Sequence, residues 1–392
     1  MDKRINETGF IHGYIKQSLP SDFNPEIVFF REKINNSKRK SAYPYFYDMK
    51  LRALKYLLPF GIYLGMYQSL HGYGWMIYLP VIYAFVVIPM LELFIRPNEK
   101  NMDEAEENIA KSERLYDWFL YLIVPFQYLT LFWFLNNITD PALQWWEITG
   151  RVLAMGLACG TFGINVGHEL GHRINIMEQT FAKALLLTSL YTHFFIEHNK
   201  GHHKHVSTPQ DPSSAPKGMS LYAFWVRSVV GTWLGAWQIA ATEQKKKGLE
   251  VWHWRNEMLQ LQVLQVIFVT TVGIIFGWKA CGYYLLAAVI GFLLLETVNY
   301  IEHYGLQRKN LGNGRFERAM PHHSWNSNHV LGRLMLFELS RHSDHHYLAS
   351  RKYQVLRNHN EAPQLPTGYP GSMLLATIPP LWFKVMHQRM KG

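Results

Sequence analysis

The chain has 392 residues, a length that would accommodate two or three soluble domains. Its composition excludes that reading, because charged residues are 17% and aromatics 15%, whereas soluble domains carry about 25% charged residues. The net charge of +10 comes from lysines and arginines spread over several loops with no nucleic-acid-binding motif beside them, which excludes nucleic acid as a partner.

Mean hydropathy is close to zero, so very apolar stretches are averaged against very polar ones. Residues 1–52 are polar, with a basic run at 38–40, and MDKRINETGF lacks the apolar stretch of a signal peptide. They read as a cytoplasmic N-terminal extension, partly mobile. Apolar runs follow at 53–71, 73–95, 115–136, 145–167, 258–278 and 280–301, each near the roughly 20 residues a helix needs to cross a bilayer. Pro59, Pro80, Pro89 and Pro125 inside them would break soluble helices but are tolerated in membrane spans. The predicted fold is therefore all-α and integral to the membrane, with six transmembrane helices over 53–301. Segments 1–52, 96–114, 168–257 and 302–392 then share the cytoplasmic side. They hold ten, four, ten and twelve lysines and arginines, 36 of the 39 in the chain, as the positive-inside rule requires.

Residues 181–195 are too short for a span and lie between two histidine clusters, which a crossing would place on opposite faces. They read as a buried or interfacial helix. The same holds for 221–242, interrupted by Arg227, and the C-terminal SMLLATIPPLWFKVM reads as a packing or interfacial segment. Cys159 and Cys281 both fall inside apolar runs and read as inert buried thiols.

The 19 histidines are clustered. His168 and His172 form HELGH, where the fourth span leaves the membrane. His198, His202 and His203 lie in EHNKGHH, His303 in NYIEHYG at the end of the sixth span, and His342, His345 and His346 in RHSDHH. Spacings of i, i+3 and i+4 put imidazoles on one helical face, and the topology brings all four clusters to one side of the membrane. Nine imidazoles exceed what one ion uses, so two metal ions with four or five histidines each are predicted. Imidazole suits iron, zinc, copper and nickel alike and does not name the metal. Glu169, Glu197, Glu302 and Asp344 sit beside the ligands and are expected to orient imidazoles or to bond occasionally to metal. His193 follows an apolar run and is intermediate; His322, His323 and His329 read as surrounding residues or an electron-entry surface. His12, His71, His253, His359 and His387 read as packing or surface histidines.

HELGH, EHNKGHH, NYIEHYG, HHSWNSNH and RHSDHH together resemble the signature of the membrane-bound, rubredoxin-dependent alkane 1-monooxygenases, from about residue 45 to LPTGYPGSM. Arg173 stands where a lysine commonly follows the first motif, and the N-terminal extension is longer than usual. The resemblance implies a di-iron centre that hydroxylates the terminal methyl of medium-chain n-alkanes, with dioxygen as co-substrate. Electrons would come from rubredoxin, itself reduced by a reductase and NADH. The setting would be a bacterial inner membrane with the active site facing the cytoplasm and the alkane entering from membrane lipid. Tyr67 on the first span matches a bulky aromatic that limits chain length in that family. Lys200, Lys204 and Arg341 near the histidine face are candidates for attracting an acidic rubredoxin. A membrane fatty-acyl desaturase or hydroxylase shares the histidine spacing and is the nearest alternative. HELGH also fits the H-E-x-x-H pattern of zinc metalloproteases, which leaves seven clustered histidines unused. A metal transporter would place its polar residues at mid-bilayer instead of at one face.

Overall fold

The computed structural model describes residues 50–390; the expectations for residues 1–49 lie outside the described residues. The described chain begins with a 3-10 turn, Leu54–Phe60, that continues into α1 (Gly61–His71). Pro59 lies inside that turn, and because a proline lacks the donor and crowds the preceding turn, the first expected span is built of two short pieces. Helix α2 (Gly74–Glu92) returns from it and is loosened at its middle by a π turn, Tyr83–Val87. A reciprocal cap opens α3 (Glu104–Ser112): the Glu106 amide donates to Asp103 at 2.8 Å and the Asp103 amide to Glu106 at 3.2 Å. Then come α4 (Leu115–Asn137) and an unbroken helical path of α5 (Trp145–Ala158), a π turn Cys159–Ile164 and α6 (Asn165–Gly171).

Two shorter helices follow, α7 (Ile176–Thr188) and α8 (Phe194–Glu197), the second running into a π turn, His198–His202. The long helix α9 (Leu221–Lys246) is capped by Ser220. Helices α10 (Glu257–Phe276) and α11 (Trp278–His303) form a hairpin about Gly277, whose φ of +87° is a left-handed backbone that glycine adopts without strain. The remainder is a small antiparallel ribbon, β1 (Asn310–Gly312) with β2 (Arg315–Phe316), and the helices α12 (Val330–Met335), α13 (His342–Tyr347), α14 (Tyr369–Ala376) and α15 (Pro379–Arg389).

Among the described residues, four helices are long and apolar enough to cross a membrane: α2, α4, α10 and α11. The other two expected spans are of a different kind. Helix α1 has only 11 residues. The α5–α6 path is long enough but carries Glu147 and Arg151 near its start. Arg151 is buried and donates to the carbonyls of Asn137 at 2.6 Å and Gly72 at 2.9 Å, tying two connections together. Residues 181–195 are divided between α7, which buries Leu185 and Leu186, and the start of α8. Outward-facing Ile267, Ile274 and Ile275 of α10 with Leu285 and Leu286 of α11 leave an exposed apolar surface of the kind a bilayer covers.

Small residues bring α5 close to α11. A Cβ on Gly156 would lie 2.5 Å from Ile290 Cγ2, and one on Gly291 2.5 Å from Cys159 Cβ. Without a hydrophobic drive between helices in lipid, such small residues let backbones approach and gain dispersion contacts. The contact holds the ends of both paths, with His168 and His303, in one region.

A buried ion network sets the approach to α13. Phe337 (φ +49°) and Glu338 (φ +61°) take the left-handed backbone just ahead of it, a conformation costing about 1–3 kcal/mol per non-glycine residue. The Glu338 carboxyl accepts from Tyr56 Oη at 2.7 Å and Arg333 Nε at 2.6 Å, with Lys55 Nζ at 3.4 Å. Burial alone would raise this carboxyl, but the charges of Arg333 and Lys55 outweigh burial and bring it down to about 2. A depressed folded-state value stabilises the fold above the ordinary carboxylate range and loses that contribution as pH falls through the depressed value. The contribution here is on the order of 3 kcal/mol. Glu338→Gln is therefore expected to lower Tm in detergent at pH 7, with the deficit shrinking between pH 4.5 and about 2. A deficit that stays constant with pH would show that charge does not hold this turn.

Candidate metal centre

Four elements converge at one end of the bundle: the α6 end, the π turn after α8, the α11 end and α13. The nine histidines singled out from the sequence meet there in two sets. His168, His172, His198, His203 and His345 form one, and His202, His303, His342 and His346 the other; within each set the ligand atoms lie within 4.8 Å of one another. In the first set, Nε2 atoms are 2.9 Å apart for His168 and His345, 3.1 Å for His345 and His203, 3.0 Å for His203 and His198, and 3.1 Å for His198 and His172. In the second, His303 and His342 are 3.1 Å apart and His202 and His346 3.2 Å. The sets adjoin: the rings of His203 and His346, one from each, are 4.5 Å apart.

The donor set fits metal ions. With metal–imidazole bonds of about 2.1 Å, two ligands at right angles on one ion have nitrogens about 3.0 Å apart, the spacing found here. Burial, then the crowding of neighbouring imidazoles, keeps His198, His203, His342, His345 and His346 far below the usual histidine range. The rings are therefore neutral at physiological pH with lone pairs available.

The division between sets follows backbone geometry. His198 and His203 share one set although five residues separate them, while His202 joins the other. The π turn, His198–His202, widens the helix there. In α13 and α6 ordinary α spacing holds, pairing His342 with His346 and His168 with His172.

The four adjacent carboxylates separate into different roles. Glu302 belongs to the second set's surroundings: one oxygen is 3.2 Å from His342 Nε2 and the other accepts from Tyr369 Oη at 2.6 Å. Glu169 instead bonds Arg173 at 2.6 Å and the Tyr353 amide at 3.2 Å. Asp344 is held by Arg351 and by His359 at 2.7 Å. These two brace the loops rather than imidazoles of the sets, and Glu169 is not placed as a protease base would be. Glu197 is packed against Gly201 and Gly235; burial and the carboxylates of Asp211 and Glu296 push its carboxyl far above the usual range.

The sequence reading missed Asp211. Its Oδ2 lies 2.9 Å from His202 Nδ1. Burial would raise its carboxyl, but His202 and Ser214 outweigh burial and hold it below the usual range. Nine residues from its histidine and among serines and prolines, it carries no spacing signal. His193 and the PHHSWNSNH histidines stay outside both sets: His193 meets Thr232 at 3.4 Å, His323 meets Glu317 at 3.1 Å and His329 meets Ser327 at 3.1 Å. His322 stacks on His323 with ring centroids 4.1 Å apart.

Residues 143–376 match the model of the fatty acid desaturase family. Alkane 1-monooxygenase 2 of Pseudomonas aeruginosa is 41% identical over 317 residues, 80% of this chain and 84% of that protein. Alkane 1-monooxygenase of Pseudomonas putida is 39% identical over 313 residues, 79% of this chain and 77% of that protein. The chain belongs to the alkane 1-monooxygenases, within the broader fatty acid desaturase family. The similarity extends to the hydroxylase component of the xylene/toluene monooxygenase of Pseudomonas putida, 29% identical over 61% of this chain and 63% of that protein. The chain is a membrane monooxygenase with histidine clusters suited to iron.

In this alkane 1-monooxygenase family member an apolar cavity of about 70 Å³ lies between helices, two of which, through Asn165 and Val298, go on to carry His168 and His303. Phe85, Thr161, Asn165, Val298, Leu339 and Met373 are among its walls. Tyr67 is not among them; it is 51% exposed and stacks on His71 with ring centroids 4.3 Å apart. Its helix position turns it outward. The structure corrects the reading of Arg341, which is buried and bonded to the carbonyls of Leu356 and Lys100 at 2.7 and 2.9 Å, unavailable to an incoming protein. Lys200, at the surface, pairs with Glu243 at 2.8 Å, and Lys204 is exposed. Carboxylates that orient metal-bound imidazoles typically affect metal affinity by about 10–100-fold. Asp211→Asn is expected to weaken iron binding by roughly that range, read as iron retained per chain against graded chelator. Unchanged retention would show that His202 keeps its orientation without the carboxylate.

Proposed function

We propose that this chain hydroxylates the terminal methyl of medium-chain n-alkanes to 1-alkanols, with two iron ions, dioxygen and electrons from rubredoxin. The observation that carries the reading is the pair of adjoining imidazole sets, with an apolar cavity walled by the helices that carry His168 and His303. His168, His172, His198, His203 and His345 would hold one ion, and His202, His303, His342 and His346 the other. The bound irons supply an oxidant able to break an unactivated C–H bond, chemistry that no side chain provides.

The protein's own residues do the rest. Asp211 fixes the tautomer and orientation of His202, and Glu302, held by Tyr369, borders the second set. The cavity walls take the alkyl chain out of lipid and keep water from it. In this reading 53–71 and 145–167 cross the membrane alongside the four long apolar helices. The unbroken α5–α6 path and its close packing on α11 support that assignment. Residues 1–52, 168–257 and 302–392 then face the cytoplasm of a bacterial inner membrane. Rubredoxin, reduced by its reductase and NADH, delivers electrons on that side.

With octane, ¹⁸O₂, ferrous iron, rubredoxin, its reductase and NADH, the purified protein should give labelled 1-octanol. His345→Ala should abolish it. No product from an iron-loaded sample that converts fatty-acyl chains would replace this reading with a desaturase or acyl hydroxylase. Phe85→Ala is expected to shift activity to longer alkanes while Tyr67→Ala leaves the chain-length profile unchanged. The reverse pattern would return the gate to Tyr67.

A further inference from the structure

Glu92 closes α2 in a place that offers its carboxyl no ion pair among the described residues. It is 6% exposed. One carboxyl oxygen accepts from the Gly332 amide at 2.7 Å, and the other is buried without a hydrogen-bond partner among the described residues. Two glycines are matched to it. A Cβ on Gly368 would lie 2.6 Å from Glu92 Cδ, and one on Gly332 3.1 Å from Oε1. Gly368 has φ −59°, open to any residue, so its backbone does not require glycine. The carboxyl does.

Gly332 lies in α12 and Gly368 caps α14, so a single side chain joins the ends of three helices. The same three helices supply one wall of the apolar cavity: Phe85 and Ile88 from α2, Met335 from α12, Pro370 and Met373 from α14. The residue after Gly368 is Tyr369, whose hydroxyl holds Glu302 beside His342. One carboxyl is therefore linked both to the wall that an alkyl chain would touch and to the edge of the histidine site.

We propose that Glu92 is a positioning residue for regioselectivity: it clasps α12 and α14 to α2 and thereby fixes the cavity wall that keeps a substrate's terminal carbon foremost. The proposal rests on the reading that an alkane occupies this cavity. Methylene C–H bonds are weaker than methyl C–H bonds, so terminal oxidation depends on the chain being held end-on. A wall that yields lets the chain slide and presents the second carbon. The reaction is otherwise unchanged: one oxygen atom enters the alcohol and the other leaves as water, with two electrons and two protons consumed.

The test uses the full-length protein with its reductant chain, in native form and as Glu92→Ala, Glu92→Gln, Gly368→Ala and the Glu92→Ala/Gly368→Ala double variant. The readouts are the ratio of 2-octanol to 1-octanol, iron content, and amide hydrogen exchange over residues 330–339 and 365–372. Glu92→Gln keeps an acceptor for the Gly332 amide and should retain the native ratio and protection. Glu92→Ala should raise the 2-octanol share about threefold or more and speed exchange in both segments, with iron content retained. Gly368→Ala should do the same alone, because its Cβ displaces the carboxyl, and add nothing once the carboxyl is gone. Native ratio and exchange in Glu92→Ala would overturn the proposal, as would additive effects of the two alanines or equal damage by glutamine. Should the native protein make no octanol, the functional reading fails, and the exchange pattern alone then decides whether the clasp exists.

Discussion

Nine imidazole nitrogens held about 3 Å apart away from water form an arrangement that nothing in a folded chain favours by itself. Their lone pairs face one another, and burial holds His198, His203, His342, His345 and His346 far below the usual histidine range. An ion at each focus would turn that repulsion into attraction, but only if the rings were in place beforehand. The rest of the molecule is arranged around this demand. Each converging element is braced by a contact outside the histidines: the α5–α6 path and α11 by the small-residue contact at Gly156 and Gly291, α13 by the Glu338 network ahead of it, and the π turn by α9 through Gly201 and Ile239. Bracing from the next layer outward is how a metal site keeps its geometry.

The division between oil and water organises the same structure at larger scale. The long apolar helices turn isoleucine and leucine outward, while the buried Arg151 is bonded to backbone carbonyls. Glu338, Arg333, Arg341 and Asp344 gather at the end that carries the histidines. An apolar cavity lies within the bundle, with Asn165 and Val298 of the histidine-bearing helices among its walls. A substrate dissolved in lipid and electrons carried by a water-soluble protein can meet only at such a boundary, which gives the proposed function a physical location.

Helical irregularity is part of the site. Prolines interrupt the first and second membrane-directed segments, and π turns occur in α2, after α5 and after α8. Each π turn rotates the residues beyond it relative to a regular helix. The last one assigns His198 and His203 to one set and His202 to the other, and the first carries Phe85 in the cavity wall.

By itself the sequence determined the membrane class, because apolar runs of spanning length are a local property of composition. It also determined the identity of all nine clustered histidines, because their spacing repeats on single helices and few other residues crowd so densely. Tertiary structure decided which nitrogens share a focus, since that depends on a π turn with no sequence signature. It placed Asp211, not Asp344 or Glu169, behind an imidazole of the two sets: adjacency in the chain does not give direction in space, and Arg351 and Arg173 claim the nearer carboxylates. It turned Tyr67 outward and Arg341 inward, because the facing of a side chain depends on the helices packed against it. Glu92 in its two-glycine cradle was likewise out of reach, since its partners lie some 240 residues along the chain and meet it only when three helix ends come together.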